Sequence, residues 1–271
     1  MNRRQLWISL LLLWSLAPML WQLISSFTTT AALVDGGVPF LQRWTLIHYR
    51  QLLSSDPPFL RFLLNSTVLA SASTVLTIAL AIPAAYGLVR LPQRWLRVSR
   101  ALIAGAALFP YVLLFLALLE LARSLNLGNS LLALAIPYSA LSLPLALLLL
   151  TAAFEGLPKD LDDAAKLEGM SLVQRLQWVL IPLIAPATAS TAILVFLFAW
   201  NEYPIALTWL SRSEQLTLPV AMARIAGSSV YSVPYGAYAA ATVLGALPLL
   251  LLVLLFQRQI VSGLTNGAVK G

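Results

Sequence analysis

Six long apolar runs, at about residues 6–27, 62–89, 101–122, 131–154, 184–210 and 236–257, decide most of what this chain can become. Crossing the hydrocarbon of a bilayer takes roughly 20 mostly apolar residues in a helix, and each run reaches that length. Backbone polar groups inside lipid must be satisfied internally, so each run is read as a helix. Of the 271 residues, 60% are hydrophobic and only 10% charged, against about 25% charged in soluble domains. A soluble fold of this size has no interior large enough for that much apolar surface. The expectation is an all-α, multi-pass membrane protein with six transmembrane helices.

The basic residues set an orientation. With the N-terminus inside, the inside segments hold Arg3, Arg4, Arg90, Arg94, Arg97, Arg100, Lys159, Lys166, Arg175, Arg258 and Lys270, and the outside segments hold Arg43, Arg50, Arg61, Arg123, Arg212 and Arg224. Eleven against six places both termini in the cytoplasm. The net charge of +7 thus follows from topology and asks for membrane lipid as the surrounding partner, with no nucleic acid. Arg3 and Arg4 before an apolar run imitate a signal peptide, but that run is longer than the usual 7–15 residues of such a core, so it reads as a retained span. There is no cysteine, and the one histidine, His48, stands in a polar stretch without a second histidine near it. It reads as a solvated loop residue; neither a metal site nor a catalytic constellation is expected.

Inside or near the runs stand Pro110, Pro137, Pro144 and Pro248, each a potential kink. Glu120 and Arg123, three apart, share a helix face and are expected to pair. Glu202 lies in the cluster Trp200, Asn201, Glu202 and Tyr203. An ionisable group within a span costs about 2.5–3.5 kcal/mol on insertion scales, so it faces a partner or a cavity. That cluster, with Tyr111 and Tyr138, is the candidate solute pathway; interfacial anchoring and packing between subunits are the other readings of these side chains.

The inside loop at about 155–182 is polar, compact and helix-prone. Pro158 suits a helix start. Asp160, Asp162 and Asp163 complement the dipole of its first turn. Leu161, Ala164, Ala165 and Leu167 form a small apolar face, and Gly169 suits a C-terminal stop. Ser171 and Gln174 then open a second helix with a capping box.

Asp163-Ala164-Ala165, Gly169 four positions later and Pro182 thirteen after that resemble the EAA motif of ABC importer permeases, with Asp163 in the place of Glu, and Val179 and Ile181 in the places of Ile and Leu. Asn65-Ser66, Leu127-Gly128-Asn129-Ser130, Trp200-Asn201-Glu202-Tyr203 and the closing Gly263–Gly271 are similar to segments of the maltose-type carbohydrate branch. The resemblance covers about 60–271. It implies a type I ABC importer permease fold over 60–271, preceded by a first span and periplasmic loop over 1–59, in the bacterial inner membrane. It also implies that Asp163, Ala164, Ala165, Glu168, Gly169 and Pro182 belong to a coupling loop seated on an ATPase. The tail 258–271 would reach the ATPases through Gly267, Ala268, Val269, Lys270 and Gly271. The implied partners are a second homologous permease subunit, two ABC ATPase subunits, a periplasmic or lipid-anchored solute-binding protein, and a sugar or sugar-like solute. ATP and Mg would be bound by the partners. The residues agree with that division: the lysines are Lys159, Lys166 and Lys270, and none follows a glycine, as a P-loop requires. A lone ion-coupled secondary transporter is the alternative, and it would need Glu120 and Glu202 as coupling groups.

Overall fold

In the computed structural model, residues 3–34, 44–226 and 234–268 are described. In chain order the helices are α1 (Arg3–Ser26), α2 (Thr30–Val34), α3 (Ile47–Leu53), α4 (Phe59–Val89), α5 (Gln93–Leu108), α6 (Phe115–Ser124), α7 (Leu131–Glu155), α8 (Lys159–Leu167), α9 (Leu172–Gln174), α10 (Ile181–Leu183), α11 (Ala185–Asn201), α12 (Pro204–Trp209), α13 (Leu218–Ala226) and α14 (Tyr235–Ala268). A 3-10 turn, Tyr111–Leu114, leads into α6, and a π-helical segment, Arg175–Leu180, joins α9 to α10.

Four stretches are long and apolar enough to cross a bilayer as single helices: Gln5–Ser26, Phe59–Val89, Leu131–Glu155 and Tyr235–Gln257. Two further candidate spans are bent pairs, Gln93–Leu108 with Tyr111–Ser124 at 78° and Leu172–Leu183 with Ala185–Asn201 at 83°. Counting each pair as one span makes six, as expected, but the third and fifth runs are not the continuous helices read from hydropathy.

Proline position explains both breaks. Pro110 forces the residue before it out of the helical region, and Phe109 is extended at φ −65°, ψ 130°. Pro186 and Pro204 sit in the first turns of α11 and α12, where a missing N–H costs nothing. Pro18, Pro83, Pro137, Pro144 and Pro248 instead lie inside helices that continue through them.

The chain forms two compact units, Met1–Leu64 with Leu216–Leu251, and Asn65–Gln215 with Leu252–Gly271. In the first, Ser26 Oγ and the Tyr49 hydroxyl are 2.7 Å apart and the Phe27 ring stacks on Trp44. Here the histidine reading is corrected. His48 lies on α3 and is buried, and its Nε2 is 2.9 Å from the Thr28 carbonyl oxygen. The start of α14 makes room for it: a Cβ on Gly236 would fall 2.1 Å from His48 Nε2. The stretch looks polar, but the fold closes over it. The apolar surface of α1 is almost wholly exposed, Trp14 at 82%.

In the second unit α7 packs against α5 and α11. Its core joins Ala81 and Ala85 of α4, Ala146, Leu150 and Phe154 of α7, and Leu180, Ile184 and Val195. Alanines let helix backbones approach closely, which is how helices associate where no hydrophobic effect separates them. Some buried hydroxyls are satisfied along the helices: Thr77 Oγ1 donates to the Ser73 carbonyl at 2.7 Å and Ser142 Oγ to the Tyr138 carbonyl at 2.9 Å. Ser139 Oγ also reaches across from α7 to the Ser73 carbonyl of α4, at 3.1 Å. The expected Glu120–Arg123 pair does not form; both side chains are exposed on α6 and point away from each other's charge.

Candidate functional site

The loop helix α8 has the boundaries its sequence signals. Pro158 caps it, Asp160 and Asp162 lie in its first turn, and Lys166 in its last. It ends in a Schellman turn: Gly169 N donates to the Lys166 carbonyl at 3.0 Å and Met170 N to the Ala165 carbonyl at 3.1 Å. Gly169 stands at φ +78°, a left-handed conformation that glycine adopts without a steric penalty. The Ser171–Gln174 capping box is present in both directions, at 2.8 and 3.4 Å. Pro182 follows in α10, beyond the π-helical segment.

The orientation of α8 differs from a simple apolar-face reading. Ala165 is buried, but Leu161, Ala164 and Glu168 are exposed and Leu167 is 89% exposed. The outward face therefore carries leucine and alanine, free to meet another protein. The inward face is Ala165 and a carboxylate, Asp162, which is 2% exposed. Asp162 accepts from the Tyr86 hydroxyl at 2.9 Å and from Arg175 at 2.8 Å, and it forms an ion pair with Arg90. Sequence reading treated Asp162 only as a helix-dipole partner. The signal available was its three-residue spacing from Ala165 together with the surplus of inside arginines. Asp163 is exposed and pairs with Lys166 at 3.0 Å; the Lys166 hydrogen bond and charge hold its carboxyl below the usual range. At the end of α7, Glu155 forms an ion pair with Arg100 of α5.

The pathway residues are distributed rather than gathered. A cavity of about 650 Å³ is lined by Phe109, Tyr111, Ser142, Pro144, Val195 and Phe198, among others. Of the candidates only Tyr111 lines it, its ring edge-on to Phe198 at 5.5 Å. Tyr138 and Glu202 are buried and bonded to each other. Glu202 also accepts from the backbone N–H of Ile205 at 2.9 Å and Ala206 at 3.1 Å, capping the N-terminus of α12. Trp200 is buried and stacked on Phe196, and Asn201 is exposed with its amide on the Leu197 carbonyl. Tyr203 precedes α12 and is partly exposed. The Trp200–Tyr203 cluster is thus the corner between α11 and α12.

A second corner faces it. Asn129, at φ 60°, accepts through Oδ1 from Ser211 N at 2.6 Å and Arg212 N at 3.1 Å, while Trp209 Nε1 donates to the Ser130 carbonyl at 3.3 Å. The turn between α6 and α7 thereby holds the end of α12. Of the tail, Gly267 and Ala268 close the backbone of α14; Val269, Lys270 and Gly271 lie outside the described residues.

Residues 77–266 match the family described as binding-protein-dependent transport system inner membrane component. This chain belongs to that family. Curated relatives extend the match beyond the family segment. The sulfoquinovosyl glycerol transport system permease protein of Agrobacterium fabrum is 39% identical over 264 residues, 97% of this chain and 92% of the relative. The trehalose transport system permease protein of Mycobacterium tuberculosis is 37% identical, over 95% of this chain and 93% of that protein. The trehalose/maltose transport system permease protein of Thermococcus litoralis is 38% identical, over 94% and 92%. A crystal structure of a bacterial ABC transporter that imports the acidic polysaccharide alginate contains a chain of the same fold, with a TM-score of 0.76 at 20% identity and 94% coverage of each chain. The binding-protein-dependent permease described above is therefore a multi-pass component of the inner membrane, and α8 with its Schellman turn and capping box lies inside the family segment.

Proposed function

We propose that this permease subunit forms part of the translocation pathway of an ATP-driven importer for a small neutral sugar or glycosylated solute, of the trehalose or glycosylglycerol kind. The observation that carries the reading is α8: a nine-residue helix closed by a Schellman turn at Gly169, with an outward face of Leu161, Ala164 and Leu167 left uncovered. A face of that size and chemistry fits a groove on a partner ATPase. Asp163, Ala164, Ala165, Glu168, Gly169 and Pro182 build and aim it. The relatives' names support a disaccharide or glycosylglycerol class, and the lining of the large cavity by Tyr111 and Ser142 suits a solute with an apolar face and a hydroxyl rim.

On this reading a second permease subunit completes the pathway, two ATPase subunits bind ATP and Mg, and a solute-binding protein delivers the sugar. Both termini are cytoplasmic, so the tail ending at Gly271 meets the ATPases. The chain itself hydrolyses nothing. The ion-coupled alternative needs both Glu120 and Glu202 as coupling groups, and Glu202 spends its oxygens on Tyr138, Ile205 and Ala206.

The test is purification of the tagged chain in detergent, followed by reconstitution with its co-purifying proteins. Recovery of a second hydrophobic subunit and a P-loop ATPase, with ATP-dependent uptake of labelled trehalose or glycosylglycerol, is expected. A chain that purifies alone and still transports would overturn the reading.

A further inference from the structure

The large cavity, the apolar groove between α1 and α14, the exposed arginines of α5 and the buried His48 all lie outside the loop that carries the proposed function. The Asp162 cluster lies within it and is built to do something specific. Asp162 divides its two oxygens between two different elements. Oδ1 takes Arg175, at 2.8 Å, from the π-helical segment within the first half of the bent pair; Oδ2 takes the Tyr86 hydroxyl of α4, at 2.9 Å, and the guanidinium of Arg90, the residue that follows α4. Arg90 in turn lies 4.9 Å over the Tyr86 ring, and Arg175 reaches the same hydroxyl at 3.4 Å. The side chains of Asp162 and Arg175 are 3% and 12% exposed.

We infer that Asp162 is a positioning residue that locks α8 to α4 and to the Arg175 segment, so that a displacement of α8 is delivered to both elements at once; this rests on the proposed coupling role of α8. The physical reason is directional. The rest of the inward face of α8 is a single alanine, Ala165, and a helix seated on a small apolar contact can slide. Charge-assisted hydrogen bonds of fixed geometry on both carboxylate oxygens resist sliding. They are also hard to part, because separating them leaves buried charge unpaired. The receiving segment is compliant: a π-helical turn closes its hydrogen bonds one residue wider than an α-helix and often marks functional sites. It lies immediately before the 83° bend between Leu172–Leu183 and Ala185–Asn201. Movement of α8 is thus fed to the one place in the second bent pair where the helix can re-angle.

Asp162→Asn is nearly isosteric and tests the division of labour, since its amide nitrogen meets an arginine donor whichever way it turns, Arg175 at one oxygen's place or Arg90 at the other's. Tyr86→Phe removes one hydrogen bond and no volume to speak of, and decides the matter should Asp162→Asn fail to assemble. The full complex is reconstituted in proteoliposomes, and solute taken up is measured per ATP hydrolysed. For the wild type, recovery of the ATPase comes first; a chain that recovers none overturns the coupling reading and this inference with it. With the ATPase present, both variants are expected to keep basal hydrolysis and lose roughly fivefold or more in solute per ATP, the scale of ordinary coupling free energies. An unchanged ratio overturns the inference. A second measurement is independent of variant folding. The chain has no cysteine, so Asp160→Cys on α8 and Ala84→Cys on α4, both exposed, accept spin labels. Their distance should be the same in nucleotide-free and ATP-analogue-bound complexes. A label distance that changes between those states in an otherwise wild-type chain also overturns it.

Discussion

The Tyr138 hydroxyl donates to Glu202 across 64 residues of chain, joining the middle of α7 to the corner between α11 and α12. The same carboxylate receives the first free N–H groups of α12. A helix N-terminus leaves such donors unsatisfied, and a buried unsatisfied donor costs about 1–3 kcal/mol. Glu202→Ala exposes three of them at once and should lower stability by about 3 kcal/mol or more. Tyr138→Phe should cost less, about 2 kcal/mol, since it deletes one bond to a charged group. Thermal unfolding in detergent separates the two. If Glu202→Ala melts with the wild type, Glu202 is not the cap of α12.

Gly236 and His48 are in closer contact than any side chain at position 236 would permit. A Cβ there would meet the imidazole at 2.1 Å from Nε2, and the ring is already engaged with the Thr28 carbonyl. Gly236→Ala should therefore destabilise the protein by about 1–3 kcal/mol, the usual cost of overpacking. His48→Ala in the same chain should recover part of the loss. Failure of the second substitution to recover any stability would mean that the contact is not what limits position 236.

Gly169 occupies a backbone conformation that proline cannot reach, because its ring locks φ near −65°. Proline there also deletes the N–H that bonds the Lys166 carbonyl. Gly169→Pro should abolish transport while the protein still inserts in the membrane, because only the loop is redirected. Gly169→Ala should be milder, about 1–2 kcal/mol of left-handed strain. Normal uptake by the proline variant would remove the coupling role proposed for α8.

The tail offers a test that leaves the spans untouched. Deletion of Ala268–Gly271 begins at the last residue of α14, beyond the candidate span Tyr235–Gln257. The expected outcome is normal insertion with weakened solute-stimulated ATP hydrolysis in the assembled complex. Stimulation equal to that of the full-length chain would refute contact between the tail and the ATPases.

By itself the sequence determined the class, the number of spans and the loop helix. Those depend on local rules: apolar length against bilayer thickness, proline and glycine at helix ends, and the Ser171–Gln174 box, all readable within a few residues. Residue spacing also carried the family resemblance, through Asp163, Gly169 and Pro182, whose intervals span the end of α8 and the helical segments after it. Only the tertiary structure decided what each buried polar group does. His48, Asp162 and Glu202 read as a loop residue, a dipole partner and a pathway residue. Folded, they hold Thr28, the joint under α8 and the start of α12. Each partner is distant in sequence, and a carboxylate or imidazole reaches its final environment when helices far apart in the chain come together. Hydropathy also missed the breaks at Pro110 and Glu202, since it sums apolarity along a run and has no record of direction. The bends come from missing N–H groups and from what caps the next helix.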